Sequence, residues 1–347
     1  MDAKITKQRL SRMLSYDWLK IVGTAAALIV LWVLIFNMTA TRITAAQQFG
    51  VCSYNGNVTI SNDFNTMHSK AYTDKIFTGE VLELPTPVDM PASGSAAADV
   101  LQARLATEEC DVMFVSQQDD VNTSYTEEVV DPVTGETTKK TLYRYTYLQS
   151  FLSDYRYYLH DLSLDGEKSF FKQMENYLNK YYEGGYEDAD SLNLEKVEAD
   201  FLARIQRTKD KRYKKQADID KGLSEAIDRM QKYRTALIAF YQYLEDGVVT
   251  LTETTYVDED DSRYSFTGTY SINLCPSTDS EGRMSSLASL MGYETSYVAN
   301  EETGEVKKTL SAKDMNVRLF NINGEEEEFR YEGLLYVVYL IDYCVGK

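Results

Sequence analysis

Two histidines, His68 and His160, set a low ceiling on the acid–base chemistry available to this chain. Helical spacing places them in different elements, and no nucleophile motif lies near either. No G-x-S-x-G, P-loop or G-x-G-x-x-G pattern occurs. Residues 161–166 (DLSLDG) begin like a calcium loop, but the twelfth position is Lys172, where a bidentate glutamate is required. Asp258–Asp261 and Glu325–Glu328 are acidic turns of the kind that bind calcium weakly at best. No pair of carboxylates stands out for glycoside hydrolysis. The expectation is a protein that is not an enzyme and needs no cofactor or metal.

Other side chains offer binding chemistry. Cys52, Cys110, Cys275 and Cys344 allow two disulfides in three connectivities, and none has the close spacing of a metal knuckle. Their apolar contexts suit buried thiols equally well. The chain has 27 tyrosines, a number that suits stacking on sugars or peptides but is more simply absorbed by packing. Lys209, Lys211, Arg212, Lys214 and Lys215 form a basic cluster. With Arg204 and Arg207 it could meet an anionic polymer or a partner protein; a solvated helix face paired with nearby acids is the plainer reading.

The element that positions all of this is Trp18–Met38, which carries no charge after Lys20. About 20 apolar residues cross a hydrocarbon core of roughly 30 Å, so 18–38 reads as a transmembrane helix through the lipid bilayer. Lys4, Lys7, Arg9, Arg12 and Lys20 precede its core, whereas Arg42 is the one charge between Met38 and Asp63. The positive-inside bias predicts a single-pass protein of the cell membrane, its N-terminus (1–17) cytoplasmic and its C-terminal domain extracellular. A cleaved signal peptide is the rival, with Ala40 or Ala45-Ala46 as small residues. The apolar run exceeds the usual signal length of about 7–15 residues, which favours an uncleaved anchor.

Net charge is −18. Residues 1–20 hold five basic and two acidic side chains, a net +3, so the rest carries −21. That balance disfavours nucleic acid. After a linker at 39–48, Phe49–Tyr54 reads as a strand, Asn62–Phe77 as a helix, Glu80–Leu84 as a strand ending at Pro85-Thr86-Pro87, Ser93–Glu109 as a helix capped by Ser93 or Ser95, and Cys110–Ser116 as a buried strand. This β-α-β-α-β order predicts a parallel sheet with helices. Ligands of such sheets sit beyond the carboxyl ends of the strands, which places Tyr54, Asn55, Thr86, Ser116 and Gln117 at a candidate site.

The run LQARLATEECDVMFVS, Leu101–Ser116, resembles the third helix-strand unit of extracellular solute-binding proteins, the bilobal type 2 periplasmic-binding fold. Leu101 and Leu105 stand where that helix faces the sheet, Glu108-Glu109 form the turn, and Asp111 precedes the apolar Val112-Met113-Phe114. A fainter echo at Tyr270–Leu274 (YSINL) would be a strand returning to the first lobe, and adds Ser277 to the candidate ligand residues. The resemblance covers mainly 49–116. It implies two lobes, a hinge and a cleft that closes on a solute. Such proteins are usually lipid-anchored where a single membrane is present, and here a helix takes that place.

The rest of the chain inserts into this plan. Residues 123–147 predict a β-hairpin, and TSY…TGETTKKTL there is echoed by TSY…TGEVKKTL at 295–310. A third hairpin pairs Val249–Tyr256 with Arg263–Tyr270. Within 148–262, apolar stripes run through Phe170, Phe171, Met174, Tyr177, Leu178 and Tyr181, then through Leu194, Val197, Phe201, Leu202 and Ile205, then from Ile219 to Leu244. A break is expected near Lys209–Lys215 or Gly222. Gly333–Val345 is apolar but too short to span a bilayer, so it should be a buried terminal helix.

The fold expected is α/β: a transmembrane helix followed by a bilobal periplasmic-binding-protein-like ectodomain, with an α/β lobe at 49–122 and 263–347, a largely helical second lobe at 148–262, and protruding hairpins. The function expected is capture of a small solute, glycan or peptide in an interlobe cleft. The alternative is a structural or interaction protein that meets an envelope protein through its helices and hairpin arms. An extracytoplasmic hydrolase is a third reading, without an assembled catalytic group.

Overall fold

The computed structural model describes residues 18–39, 47–54, 75–77, 81–89, 96–116, 124–130, 134–135, 137–143, 155–258, 262–274, 296–299, 306–309, 315–321 and 329–345, with Lys7, Gln8, Ser11, Ile43, Leu152 and Pro276 as isolated positions. Met1–Arg42 and Ile43–Lys347 are two separate compact units. In the first, α1 (Trp18–Thr39) is one unbroken helix, long and apolar enough to cross a membrane. Its polar Thr24 returns its hydroxyl to the Lys20 carbonyl at 2.7 Å, the i−4 back-bond open to a threonine within a helix.

The second unit is built on a mixed six-stranded sheet in the order β2-β1-β3-β10-β7-β6. β1 (Val51–Tyr54) lies parallel to both β2 (Val88–Asp89) and β3 (Val112–Ser116). This is the parallel group that the alternation of elements predicts. β10 (Met315–Leu319) then runs antiparallel to β3 and to β7 (Phe266–Asn273), and β6 (Thr250–Tyr256) closes the far edge. The third hairpin is thus β6–β7, built into the sheet rather than standing apart from it. The other two, β4 (Ser124–Val130) with β5 (Thr137–Tyr143) and β8 (Ser296–Ala299) with β9 (Val306–Thr309), are separate antiparallel ribbons.

One difference from the sequence reading has a clear cause. The strand expected at 80–84 contributes one bridge, Gln48 to Glu83. Pro85 and Pro87 remove backbone donors, so regular pairing resumes only at Val88. Within the helix expected at Ser93–Glu109 lies α2 (Ala97–Ala106); Ser93 and Ser95, the expected caps, lie outside the described residues. Asn62–Phe77 lies outside the described residues apart from its last three.

β3 is buried on both faces, which explains its continuous apolar sequence. One face carries the main core. Val51, Val112, Phe114, Val317 and Leu319 meet α3 (Phe170–Asn179), α5 (Gln216–Glu245) and α6 (Glu332–Val345) in one cluster. α6 buries Leu334, Tyr336, Val337, Leu340 and Ile341, each worth roughly 1.5–3 kcal/mol by area. It is the buried terminal helix that the apolar run predicts. Its Gly333 lies against Leu319, 3.0 Å from where a Cβ would sit. The opposite face packs Cys52, Met113 and Val115 beneath Leu101 and Leu105 of α2.

A disulfide joins Cys52 to Cys110 across this second face, their Cα atoms 6.3 Å apart. Beside it, Gly50 donates its N–H to the Asp111 carboxylate at 2.7 Å, and the Asp111 N–H returns to the Gly50 carbonyl at 2.9 Å. A Cβ at Gly50 would lie 1.9 Å from the Glu109 carbonyl oxygen, so only glycine fits. With a sequence separation of 58, loop-closure entropy assigns the crosslink roughly 4 kcal/mol. The double variant Cys52→Ala/Cys110→Ala is therefore expected to unfold at a markedly lower urea concentration than the oxidised protein. Equal midpoints with and without reductant would refute the bond.

Candidate functional site

Three helix faces converge on a cavity of about 320 Å3. From the end of α3 come Tyr177, Lys180 and Tyr181; from α4 (Leu194–Thr208) come Val197, Asp200, Phe201, Arg204 and Arg207; from α5 come Ala226, Arg229 and Met230. Each set repeats at three- and four-residue steps, which places it on one helix face. The helix ends are fixed locally. Ser169 Oγ accepts the Lys172 N–H at 3.4 Å to start α3, and Asn193 Oδ1 accepts the Lys196 N–H at 2.9 Å to start α4. Lys209, in the left-handed region at φ 53°, ends α4.

The turn at 209–215 is the expected break. α5, by contrast, runs unbroken through Gly222. A Cβ there would meet Tyr213 at 2.4 Å and Phe201 at 2.6 Å. Gly222 is therefore a point of close approach that brings α4 against α5. At the other end, Tyr331 anchors the helices through ring contacts with Phe170, Tyr177 and Tyr233 at 5.5, 5.4 and 5.7 Å. Among the described residues, seven tyrosines are buried in the core. Tyr243 extends it by donating to Asp342 of α6.

Charge in the cavity is one-sided. Lys180, Arg204, Arg207 and Arg229 face Asp200, the one carboxylate of the lining. Asp200 accepts the Tyr181 hydroxyl at 2.9 Å. Arg204 is 6% exposed and Arg229 4%. Both guanidinium groups stack near the buried Phe329 ring, at 5.4 and 4.9 Å from its centroid. Lys180 lies 5.6 Å from the Tyr177 ring. Buried Glu332 stands behind the wall. Burial pushes the Tyr233 hydroxyl well up, Glu332 pushes it further, and Arg229 opposes, so Tyr233 feels both charges. The result is a cationic recess with aromatic walls in a chain that is strongly acidic elsewhere.

The basic cluster expected at the surface is placed differently from its neighbours Arg204 and Arg207. Lys209, Lys211, Lys214 and Lys215 are exposed on the turn and at the start of α5. Arg212 pairs with Asp210 at 2.7 Å, and the same carboxylate accepts the Arg212 backbone N–H at 2.9 Å. None of these five lines the cavity. Sequence reasoning missed that Lys180, Arg229 and Tyr177 share a cavity with Arg204. The signal was present: Arg204 follows Phe201 by three, and Arg229 follows Ala226 by three. A periodicity that scores apolar residues counts those arginines as solvent face, whereas Leu194 and Leu202, counted as core, are exposed.

The strand-end residues are only partly brought together. Tyr54 pairs with Val115, so Tyr54 and Ser116 end adjacent strands. Thr86 precedes Val88, the partner of Cys52, and lies toward the opposite, amino-terminal edge of β1. Asn55, Gln117 and Ser277 lie outside the described residues, as do Glu325–Glu328, His68 and Cys275. The opposite face of the sheet also holds buried polar groups. Arg318, fully buried, donates Nε–H to Ser271 Oγ at 3.0 Å, and Thr252 donates to Asn316 Oδ1 at 2.7 Å.

His160 belongs to the core. It is 4% exposed, its backbone N–H donates to the Leu319 carbonyl, and its ring meets Phe170 edge-on at 4.8 Å. Compared with known proteins, the chain matches no family model, no curated protein and no solved structure.

Burial, and after it the Arg330 charge, pushes the His160 imidazole down to about 3 from the ordinary histidine value of 6.5. The folded state keeps it neutral, while the unfolded chain takes up a proton below 6.5. Its contribution is whole above that value and falls as pH drops toward 3, by about 1.4 kcal/mol per unit once well below 6.5. Between pH 6.5 and 5 the protein should lose roughly 1.5 kcal/mol through this group. Urea unfolding of His160→Leu, compared with wild type at both pH values, should show that loss removed. Parallel pH dependences would refute the assignment.

Proposed function

We propose that this chain is a membrane-anchored extracytoplasmic binding protein whose ligand is an anion held in the recess between α3, α4 and α5. The observation that carries the reading is the convergence of Lys180, Arg204, Arg207 and Arg229 on one cavity walled by Tyr177, Tyr181 and Phe201. Cavities of roughly 300 Å3 and above hold small ligands or the end group of a larger one. Two features support the outside location. Basic residues crowd the N-terminal side of α1. The Cys52–Cys110 disulfide belongs to an oxidising compartment.

The parallel β2-β1-β3 group supports the solute-binding-protein resemblance as the source of the α/β frame. In that reading α3, α4 and α5 stand where a second lobe was expected but belong to the same compact unit as the sheet, and ligand capture has moved from the strand ends to the helical layer. A second reading, an envelope interaction protein, is favoured by the two ribbons β4–β5 and β8–β9, which share the TSY…TGE…KKTL pattern.

Thermal unfolding of the full chain in detergent micelles separates them. Binding to the folded state alone adds stability as RT ln(1 + [L]/Kd), about 2.7 kcal/mol at a hundredfold excess over Kd. Phosphorylated, sulfated and carboxylated sugars should raise Tm in a saturable way, and their neutral parents should not. Arg207→Gln should reduce the shift. A flat response to every anion would count against the recess as a ligand site and leave the interaction reading.

A further inference from the structure

We infer that the recess takes a phosphate ester of a sugar or polyol, with the phosphate between Arg204 and Arg229 and a hydroxyl on Asp200. This rests on the anion-binding reading above and specifies its ligand. Charge decides the head group. Four cations and one carboxylate line the cavity, a net +3. Counting Glu332 behind the wall leaves +2. A phosphate monoester carries about −1.5 to −2 near neutral pH and offers three terminal oxygens, whereas a carboxylate offers two oxygens and one charge.

Geometry points the same way. Arg204 and Arg229 come from different helices, and both stack near Phe329. Each therefore brings a delocalised positive charge to the recess from its own helix, and guanidinium groups suit the several oxygens of a tetrahedral anion. Lys180 and the more exposed Arg207 stand at other parts of the lining, where point charges suffice. The remaining lining suits a hydroxylated carbon skeleton. Asp200 already takes one hydrogen bond from Tyr181 and keeps acceptor positions for a ligand hydroxyl. The rings of Tyr177 and Phe201 supply the apolar wall against which C–H faces of a sugar or polyol pack.

Such an ester could arrive as a free solute or as the end of a polymer of repeating polyol phosphates; the chemistry read by the site is the same. Isothermal titration of the full chain in detergent micelles tests it. The probes are glycerol 3-phosphate, glucose 6-phosphate, a short poly(glycerol phosphate), glucuronate, inorganic phosphate and glycerol. At least one phosphate ester should bind ten or more times tighter than glucuronate and than inorganic phosphate, and glycerol should not bind. Arg207→Gln should weaken the ester about tenfold. Asp200→Asn, which removes a hydroxyl acceptor and also a repelling charge, should shrink the advantage of the ester over inorganic phosphate. Both positions are exposed, so both variants should fold. Lys211→Gln, on the turn outside the recess, should bind as wild type does. Tighter binding of the polymer than of both monomers would identify the polymer end as the source, and the reverse a free solute. Glucuronate binding as tightly as the esters would overturn the phosphate assignment and keep the anion site. Equal binding of ester and inorganic phosphate would overturn the polyol part. No binding of any anion would overturn this inference and the reading beneath it together.

Discussion

The pairing of β3 with β10 is the constraint on which the second unit depends. It runs from Ser116 opposite Met315 to Val112 opposite Leu319, and it joins the parallel strands of the N-terminal half to the antiparallel strands of the C-terminal half. Both strands are covered on both sides, so every residue in them has one acceptable orientation. The same pair sets the levels of its neighbours. The Phe320 N–H reaches the Asp111 carbonyl, the Leu319 carbonyl receives His160, and Gly333 lets α6 lie close on Leu319. A one-residue slip would turn Arg318 into the helix-covered core and Val317 onto the polar side.

The recess is a second-order product of that frame. α6 rests on the sheet and presents Tyr331 just before its start. Tyr331 gathers Tyr177 of α3 and Tyr233 of α5, and Gly222 lets Phe201 of α4 come in from the side. The three helices are therefore held by aromatic packing at one end and by a missing Cβ at the other. Buried arginines are costly unless their charge is compensated. Here the Phe329 ring and the nearby carboxylates offset part of that cost.

Legibility followed the physics of each signal. The parallel strand group, the hairpins and the buried terminal helix could be read because apolar alternation and turn residues report directly on backbone geometry. β2 was misplaced by a few residues because Pro85 and Pro87 end one kind of pairing without ending the extended chain. The connectivity of the cysteines was open because three pairings satisfy the same spacing. The cationic recess was hidden for a different reason. Its members come from three helices, and each arginine looks like an ordinary polar position within its own helix. Only the packing of those helices makes them neighbours, and that is information about distance rather than sequence.

The β3–β10 ladder also has a bearing on synthesis. The Cys52–Cys110 crosslink and the β1–β3 pairing use residues made early, so half of the sheet can assemble while the chain is still growing. Its open edge is β3, and the strand that covers it begins about 200 residues later. At about 5–20 residues per second, β3 waits roughly ten to forty seconds with a bare row of N–H and C=O groups. During that time the nascent chain is a template for strand addition by other molecules, a hazard that the finished sheet no longer shows.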